Sequence, residues 1–111
     1  MKISEICKAL DADIQVKGDQ DRDITKLVAG DLLSFVMGGA PEGAAWVTIQ
    51  AHLNVAAVAV LKDLPLIIIA AGRKAPQDLI DRCMEENICI ASVNHSIYGV
   101  CRVMSELGIG E

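Results

Sequence analysis

The chain has 111 residues, with 15 acidic against 10 basic side chains and a formal net charge of −5 at pH 7. Nucleic-acid binding rests on clustered Lys and Arg facing phosphates. Here the basic residues are scattered and no aromatic pair offers a stacking platform, so nucleic acid is excluded as a partner. The longest apolar run, Leu64 to Ala71, is too short to span a bilayer and contains Pro65.

The N-terminal MKISEICKAL has no signal-peptide hydrophobic core, so a cytoplasmic protein without membrane attachment is expected. The length suits one domain over residues 1–111. Hydrophobic residues make up 52% of the chain, mostly Ala, Val, Ile and Leu, and only Phe35, Trp46 and Tyr98 are aromatic. Aliphatic strands of this kind suit a parallel sheet covered on both faces, and their excess points to apolar surface left for a partner chain. Cys7, Cys83, Cys89 and Cys101 form no CxxC and no metal-binding spacing. They read as reduced, mostly buried thiols, and neither metal nor cofactor is expected.

In chain order, Ser4 reads as the N-cap of a first helix with Ile3, Ile6, Cys7 and Leu10 on one face. Asp13 to Lys17 alternates as a half-buried strand, and Gly18 to Asp23 reads as a charged, solvated turn. Ile24 to Ala29 is the next expected strand. Asp31 then reads as N-cap of a helix over Leu32 to Met37, ended by Gly38-Gly39. Ala45 to Ile49 is a short buried strand. A polar exit, Gln50 to Asn54, leads into Val55 to Leu61 with Asn54 as N-cap. That helix is apolar nearly all round, so both sides need cover. The sheet supplies one, and a partner or the N-terminal elements supply the other.

Leu66 to Ala71, with three successive isoleucines, reads as a central strand. Gly72-Arg73-Lys74 turns into a helix with Pro76 at its first position, Leu79, Ile80, Cys83 and Met84 inward, and Asp78 and Arg82 paired. Asn87 is a left-handed terminator before the strand Ile88 to Val93. Asn94-His95-Ser96 then opens a last helix with Ile97, Val100, Cys101, Met104 and Leu107 inward, ended by Gly108. Alternating strand and helix with short loops implies right-handed crossovers. The fold class is therefore α/β, a single domain with a mostly parallel sheet and helices on both faces.

In such sheets ligands bind beyond the carboxyl ends of the strands. Three ends are legible: Thr48 to Asn54, Ala70 to Lys74 and Ser92 to Ser96. The candidate ligand-binding residues are Thr48, Gln50, His52, Asn54, Gly72, Arg73, Lys74, Asn94, His95 and Ser96. Gly72-Arg73-Lys74 ahead of a helix reads either as an anion cradle of backbone N–H groups and positive charge or as a tight turn with two solvated cations. There is no GxxxxGK followed by Ser or Thr, and no GxGxxG. His52 or His95 beside Ser96 or Cys89 admits nucleophilic catalysis. No acidic residue stands in the third loop to orient a base, and such residues also serve as helix caps. No catalytic residue is assigned.

Over Ile24 to Leu107 the sequence resembles the DRTGG domain family. The resemblance is carried by DLLSFVMGGAPEGAAWVTIQAHLNVAAVAVLKDLPLIIIAAGRKAPQDLI and by the spacing through ICIASVNHSIYGV. More distantly the chain looks related to the N-terminal domain of HPr serine kinase/phosphatase and to the middle region of long phosphotransacetylases. Ala51-His52 stands where the family has Asp-Arg, and Ala70-Ala71-Gly72 where it has Thr-Gly-Gly. The resemblance implies an α/β regulatory domain, HPr kinase N-terminal-domain-like, and the two departures point to a ligand different from the family's, read by Gln50, His52 and Asn54. A serine-kinase label does not carry over, because that activity resides in a separate domain with a phosphate-binding loop.

Three functions remain in competition. The leading expectation is a non-catalytic regulatory or ligand-sensing homodimer for a small anionic or nucleotide ligand. The second is an interaction subunit of a larger enzyme complex, a redox complex among the options. The third is a small enzyme using His52 or His95.

Overall fold

The computed structural model describes residues 1–111. The elements run α1 (Ile3–Ala9), β1 (Asp13–Val16), β2 (Leu27–Ala29), α2 (Leu33–Gly39), β3 (Ala45–Thr48), α3 (Asn54–Leu61), β4 (Leu66–Ile69), α4 (Gln77–Glu85), β5 (Cys89–Ser92) and α5 (Ile97–Glu106). The sheet order is β1-β5-β4-β3-β2. Strands β2 to β5 are parallel, and β1 pairs antiparallel with β5, Asp13 opposite Ser92 and Ile14 opposite Ala91. The α/β class with a mostly parallel sheet is as the sequence implies.

The layering follows from crossover handedness. Strands β2, β3, β4 and β5 succeed one another across the sheet in a single direction. Right-handed crossovers made in one direction place every connecting helix on the same face. Accordingly α2, α3 and α4 share one layer, where Trp46, Ile67, Ile69 and Ile90 pack with Val36, Val55, Val58, Leu79 and Cys83. The alternate strand residues Val47, Leu66, Ile68 and Ala91 face the opposite layer, built by Ile3, Ile6 and Leu10 of the N-terminal segment and Val100 and Met104 of α5. Strands β3, β4 and β5 are buried along their whole length, which is why they read as apolar runs broken only by the terminal Thr48 and Ser92.

Several local expectations shift. Ser4 lies inside α1, whose N-cap is Lys2. The first-turn amides of Ile3 and Ser4 donate to the carbonyls of Arg22 and Gln20 (both 3.0 Å). The charged 18–23 turn therefore caps α1 rather than merely facing water. The strand expected from Ile24 begins only at Leu27, because residues 23 to 26 pair with the chain termini in two isolated bridges, Lys2 with Asp23 and Lys26 with Gly110. Leu32, Leu53 and Pro76 hold the N-cap positions expected of Asp31, Asn54 and the residue before Pro76. Arg82 pairs with Glu86 (3.3 Å), and Asp78 accepts instead from the Leu79 amide (2.7 Å). Met84, expected inward, is 63% exposed.

Helix α3 buries Val55, Ala56, Val58 and Ala59 and leaves Ala57, Val60 and Leu61 outward. The N-terminal helix cannot cover that stripe, since α1 lies on the other face of the sheet.

Candidate functional site at the carboxyl edge of the sheet

Four parallel strands discharge their loops along one edge, so the three turns singled out in the sequence meet. The amide of Ala70 donates to Thr48 O (2.9 Å), that of Ala71 to His95 O (2.7 Å) and that of Gly72 to Val93 O (2.9 Å). Ala71 and Gly72 both adopt left-handed backbone (φ +61° and +72°). This costs a non-glycine residue roughly 1–2 kcal/mol, and the two inter-loop bonds hold Ala71 there. A Cβ at Gly72 would stand 3.6 Å from Asn94 Oδ1, so the second and third loops are in contact at the side-chain level as well.

The edge is not uniform in what it offers. Thr48 is fully buried, and its hydroxyl donates to Asp31 Oδ1 (2.8 Å), which also accepts from the Ile49 amide (2.9 Å). Thr48 therefore builds the edge and does not face it, a correction to its place among the ligand-facing candidates. Asp31, read from sequence as a helix cap, closes the loop after β2 onto the end of β3. The Gln50 side chain donates to Asp31 O (3.2 Å), and the Gln50 amide donates to Thr48 Oγ1 (3.0 Å). The signal for Asp31 was its position directly after a strand of the parallel set.

His52 Nδ1 accepts from the Asn54 amide (3.1 Å), so His52 performs the capping role assigned to Asn54. Ser96 caps α5, its Oγ accepting from the Gly99 amide (3.1 Å). His95 Nδ1 is buried without a hydrogen-bond partner. His95 cannot reach Cys89: the cysteine opens β5 and the histidine lies past its far end, roughly 20 Å along an extended chain at about 3.3 Å per residue. The His95–Cys89 pairing is therefore overturned by topology, and Ser96 is engaged as a cap.

The anion-cradle reading of Gly72-Arg73-Lys74 loses two of its three amides, those of Gly72 and Arg73. The amides of Ala71, Gly72 and Arg73 are bonded within the turn cluster, and the Ala75 amide donates to Gln15 Oε1 (2.8 Å). Lys74 forms an ion pair with Asp13 of β1, whose antiparallel course brings its first residue to this same edge. Arg73 is exposed and engages in no ion pair; its carbonyl accepts from the buried Ser92 hydroxyl (2.6 Å). The available groups of the edge are thus the Arg73 guanidinium, Asn94 and the outer nitrogen of His52, with the buried His95 Nδ1 behind them.

No concavity encloses them. The cavities of the molecule lie elsewhere: about 210 Å³ near the Arg22–Asp63 ion pair, about 450 Å³ between β2 and α5, about 210 Å³ by Lys62, and about 360 Å³ beside α1. The carboxyl edge is an open polar ridge. No cluster of His, Cys, Asp and Glu fit to hold a metal ion is present, and no helix is long and apolar enough to cross a membrane.

No family model matches the chain, and no curated protein matches it. Among solved structures it is similar to the CBS and DRTGG domains of the regulatory region of Clostridium perfringens pyrophosphatase, complexed with its activator diadenosine tetraphosphate. The TM-score is 0.70 at 17% identity, over 93% of this chain and 45% of that one. The chain spans less than half of that structure, and at this identity the likeness is one of fold: a single α/β domain built like part of an enzyme's regulatory region.

Proposed function

We propose that this chain is a non-catalytic regulatory domain that binds a small anionic or nucleotide ligand across the carboxyl edge of its sheet, acts as a homodimer and belongs among DRTGG-like domains. The observation that carries the reading is the convergence of three loops on one edge, with the exposed Arg73 in no ion pair foremost among its polar groups. The fold likeness to a nucleotide-activated regulatory region supports it. Because the ridge is open, the ligand lies along it, with phosphate at Arg73 and polar base or sugar groups at Asn94 and His52, while His95 backs the third loop. Gln50 and Asn54 shape the first loop, Ser96 the third, and Lys74, held by Asp13, contributes charge from the side.

A thermal-shift series with diadenosine tetraphosphate, ATP, AMP and inorganic phosphate tests this. A ligand at a hundred times its dissociation constant raises apparent stability by about 2.7 kcal/mol. Arg73→Ala, on an exposed side chain, leaves the unliganded protein unchanged and weakens the responding ligand about tenfold or more, the worth of one charge-assisted hydrogen bond. No response to any of the four overturns the proposal.

A second reading, an interaction subunit of a larger enzyme complex, is favoured by the outward Val60, Leu61 and Met84, which are 37%, 72% and 63% exposed in one helical layer. A stable co-purifying partner together with a silent ligand series would select it.

A further inference from the structure

The two outer edges of the sheet are finished differently. Along β1 the edge carries the charged Asp13 and a register break between Ile14 and Val16. The Gln15 side chain there donates to Ala75 O (3.3 Å) and accepts from the Ala75 amide (2.8 Å). Charge and irregularity of this kind discourage further strand pairing. Along β2 the edge is Leu27, Val28 and Ala29, uncharged and in regular parallel register with β3. Lys26 O accepts from the Ala45 amide (2.9 Å) and the Gly30 amide donates to Val47 O (3.2 Å). By the alternation of the ladder, Leu27 and Ala29 therefore turn their backbone groups outward. Gly110 covers the start of that edge: its amide donates to Thr25 O (3.1 Å), and its carbonyl accepts from the Leu27 amide (2.7 Å). There the cover stops. Leu27 O and both backbone groups of the exposed Ala29 have no partner in the chain. Leu27 faces the α1–α5 core, so Ala29, two residues on, points the same way. It opens on the largest cavity of the molecule, about 450 Å³, lined by Leu27, Ala29, Cys101, Ser105 and Ile109 among others.

We infer that the open part of the β2 edge receives an extended segment of another polypeptide, which adds a strand beyond Gly110 and places one aliphatic side chain in the cavity. The free backbone groups select the occupant. Only an extended main chain offers a donor to Leu27 O and both a donor and an acceptor to Ala29 at strand spacing. A parallel segment does so with one residue opposite Val28 and another opposite Gly30. The first donates to Leu27 O and accepts from the Ala29 amide; the second donates to Ala29 O. The residue between them stands opposite Ala29 and shares its direction, into the cavity. Leu27, Ala29 and Ile109 make that cavity a place for an aliphatic group. A second copy fits less well. Pairing through its own β2 would oppose Ala29 to Ala29, because Gly110 takes the Leu27 amide of each chain, and it would complete a single residue pair.

The test selects short random peptides, displayed on phage, against the immobilised full chain, and follows the enriched peptides by amide hydrogen exchange. In the chain alone, the Ala29 amide exchanges as an open strand edge, while the Leu27 amide, bonded to Gly110, exchanges slowly. The expected result is enrichment of peptides with an aliphatic residue between β-branched or polar neighbours. At saturation such a peptide slows Ala29 exchange by about tenfold or more, as a new backbone hydrogen bond should. Ala29→Pro removes the outward N–H and keeps the bonds to β3, since proline is admitted on edge strands. It weakens the enriched peptide about tenfold or more. Methylating the backbone nitrogens of the peptide abolishes binding to the wild type, a reading that stands if the proline variant does not fold. No enrichment, peptides that leave Ala29 exchange unchanged, or binding that survives N-methylation overturns the inference. So does Ala29 protection that rises with the concentration of the chain alone, which assigns the edge to a second copy. None of these outcomes depends on the ligand at the carboxyl edge.

Discussion

At the scale of single residues, the contact that shapes the carboxyl edge is Asp31 with Thr48. One carboxylate oxygen accepts from the Thr48 hydroxyl at 2.8 Å and from the Ile49 amide at 2.9 Å, and Thr48 is fully buried. Asp31→Ala leaves that hydroxyl without its acceptor, at a cost of about 1–3 kcal/mol. In a Thr48→Val background the same replacement costs less, with a coupling of about 1 kcal/mol. A urea-denaturation double-mutant cycle reads this directly, and additive single effects would remove the contact from any account of the site. A different residue sets the alkaline limit. Burial in the α2–α4 core pushes the Cys83 thiol up to about 11 from 9.0. Below pH 9 both folded and unfolded chains hold that proton. Between pH 9 and 11 the unfolded chain releases it and the folded chain does not, so the group's contribution to stability falls as pH rises, by roughly 2–3 kcal/mol in all. Cys83→Ala, less stable than the parent at pH 8, should lose less between pH 8 and pH 11. Equal losses in both proteins would contradict the assignment.

At the scale of elements, what was legible in the sequence separates from what was not along a physical line. Strands β3, β4 and β5 stand out because burial on both faces demands mostly apolar runs, unbroken in the Leu66–Ile69 stretch of β4, and the meeting of their exit loops follows from parallel pairing. The helix starts were misplaced by about a residue because the expected caps act otherwise: Asp31 reaches across to β3, and the Asn54 amide is served by His52. The capping of α1 by the carbonyls of Gln20 and Arg22 has no local signature, since its donors and acceptors lie some sixteen to nineteen residues apart in the chain. The same holds at the site. Gly72-Arg73-Lys74 has the composition of an anion loop, yet the Gly72 amide is engaged by the Val93 carbonyl and the preceding Ala71 amide by that of His95, partners that only the sheet order brings there. Periodicity reports which residues are buried. It does not report which distant group a polar atom will find, and on that the difference between a cradle and a tight turn depends.

At the scale of the whole molecule, the two faces of the sheet differ in how completely they are finished. On one side α1 and α5 enclose the Ile68 and Val47 face. On the other, α3 contains no charged residue and turns Ala57, Val60 and Leu61 outward, while α2 and α4 in the same layer expose Phe35 (62%) and Met84 (63%). Leu61 is 72% exposed. A helix apolar on its outer side gains about 25 cal/mol for each Å² it removes from water, and a specific dimer needs about 800 Å² per partner. Three adjacent helices presenting aliphatic and aromatic side chains are of the right extent for a self-complementary, two-fold contact. For the proposed homodimer this assigns the interface to the α2–α4 layer, the face of the sheet opposite α1. Sedimentation equilibrium at micromolar concentration should return twice the chain mass. Leu61→Lys, which buries an unpaired charge in the dimer but costs nothing on the monomer surface, should return the chain mass with the thermal unfolding of a folded domain. A wild type that sediments as a monomer rejects the dimer outright. A Leu61→Lys variant that remains dimeric moves the interface to another surface, of which the outer edge of β2 beside α5 is the next to test.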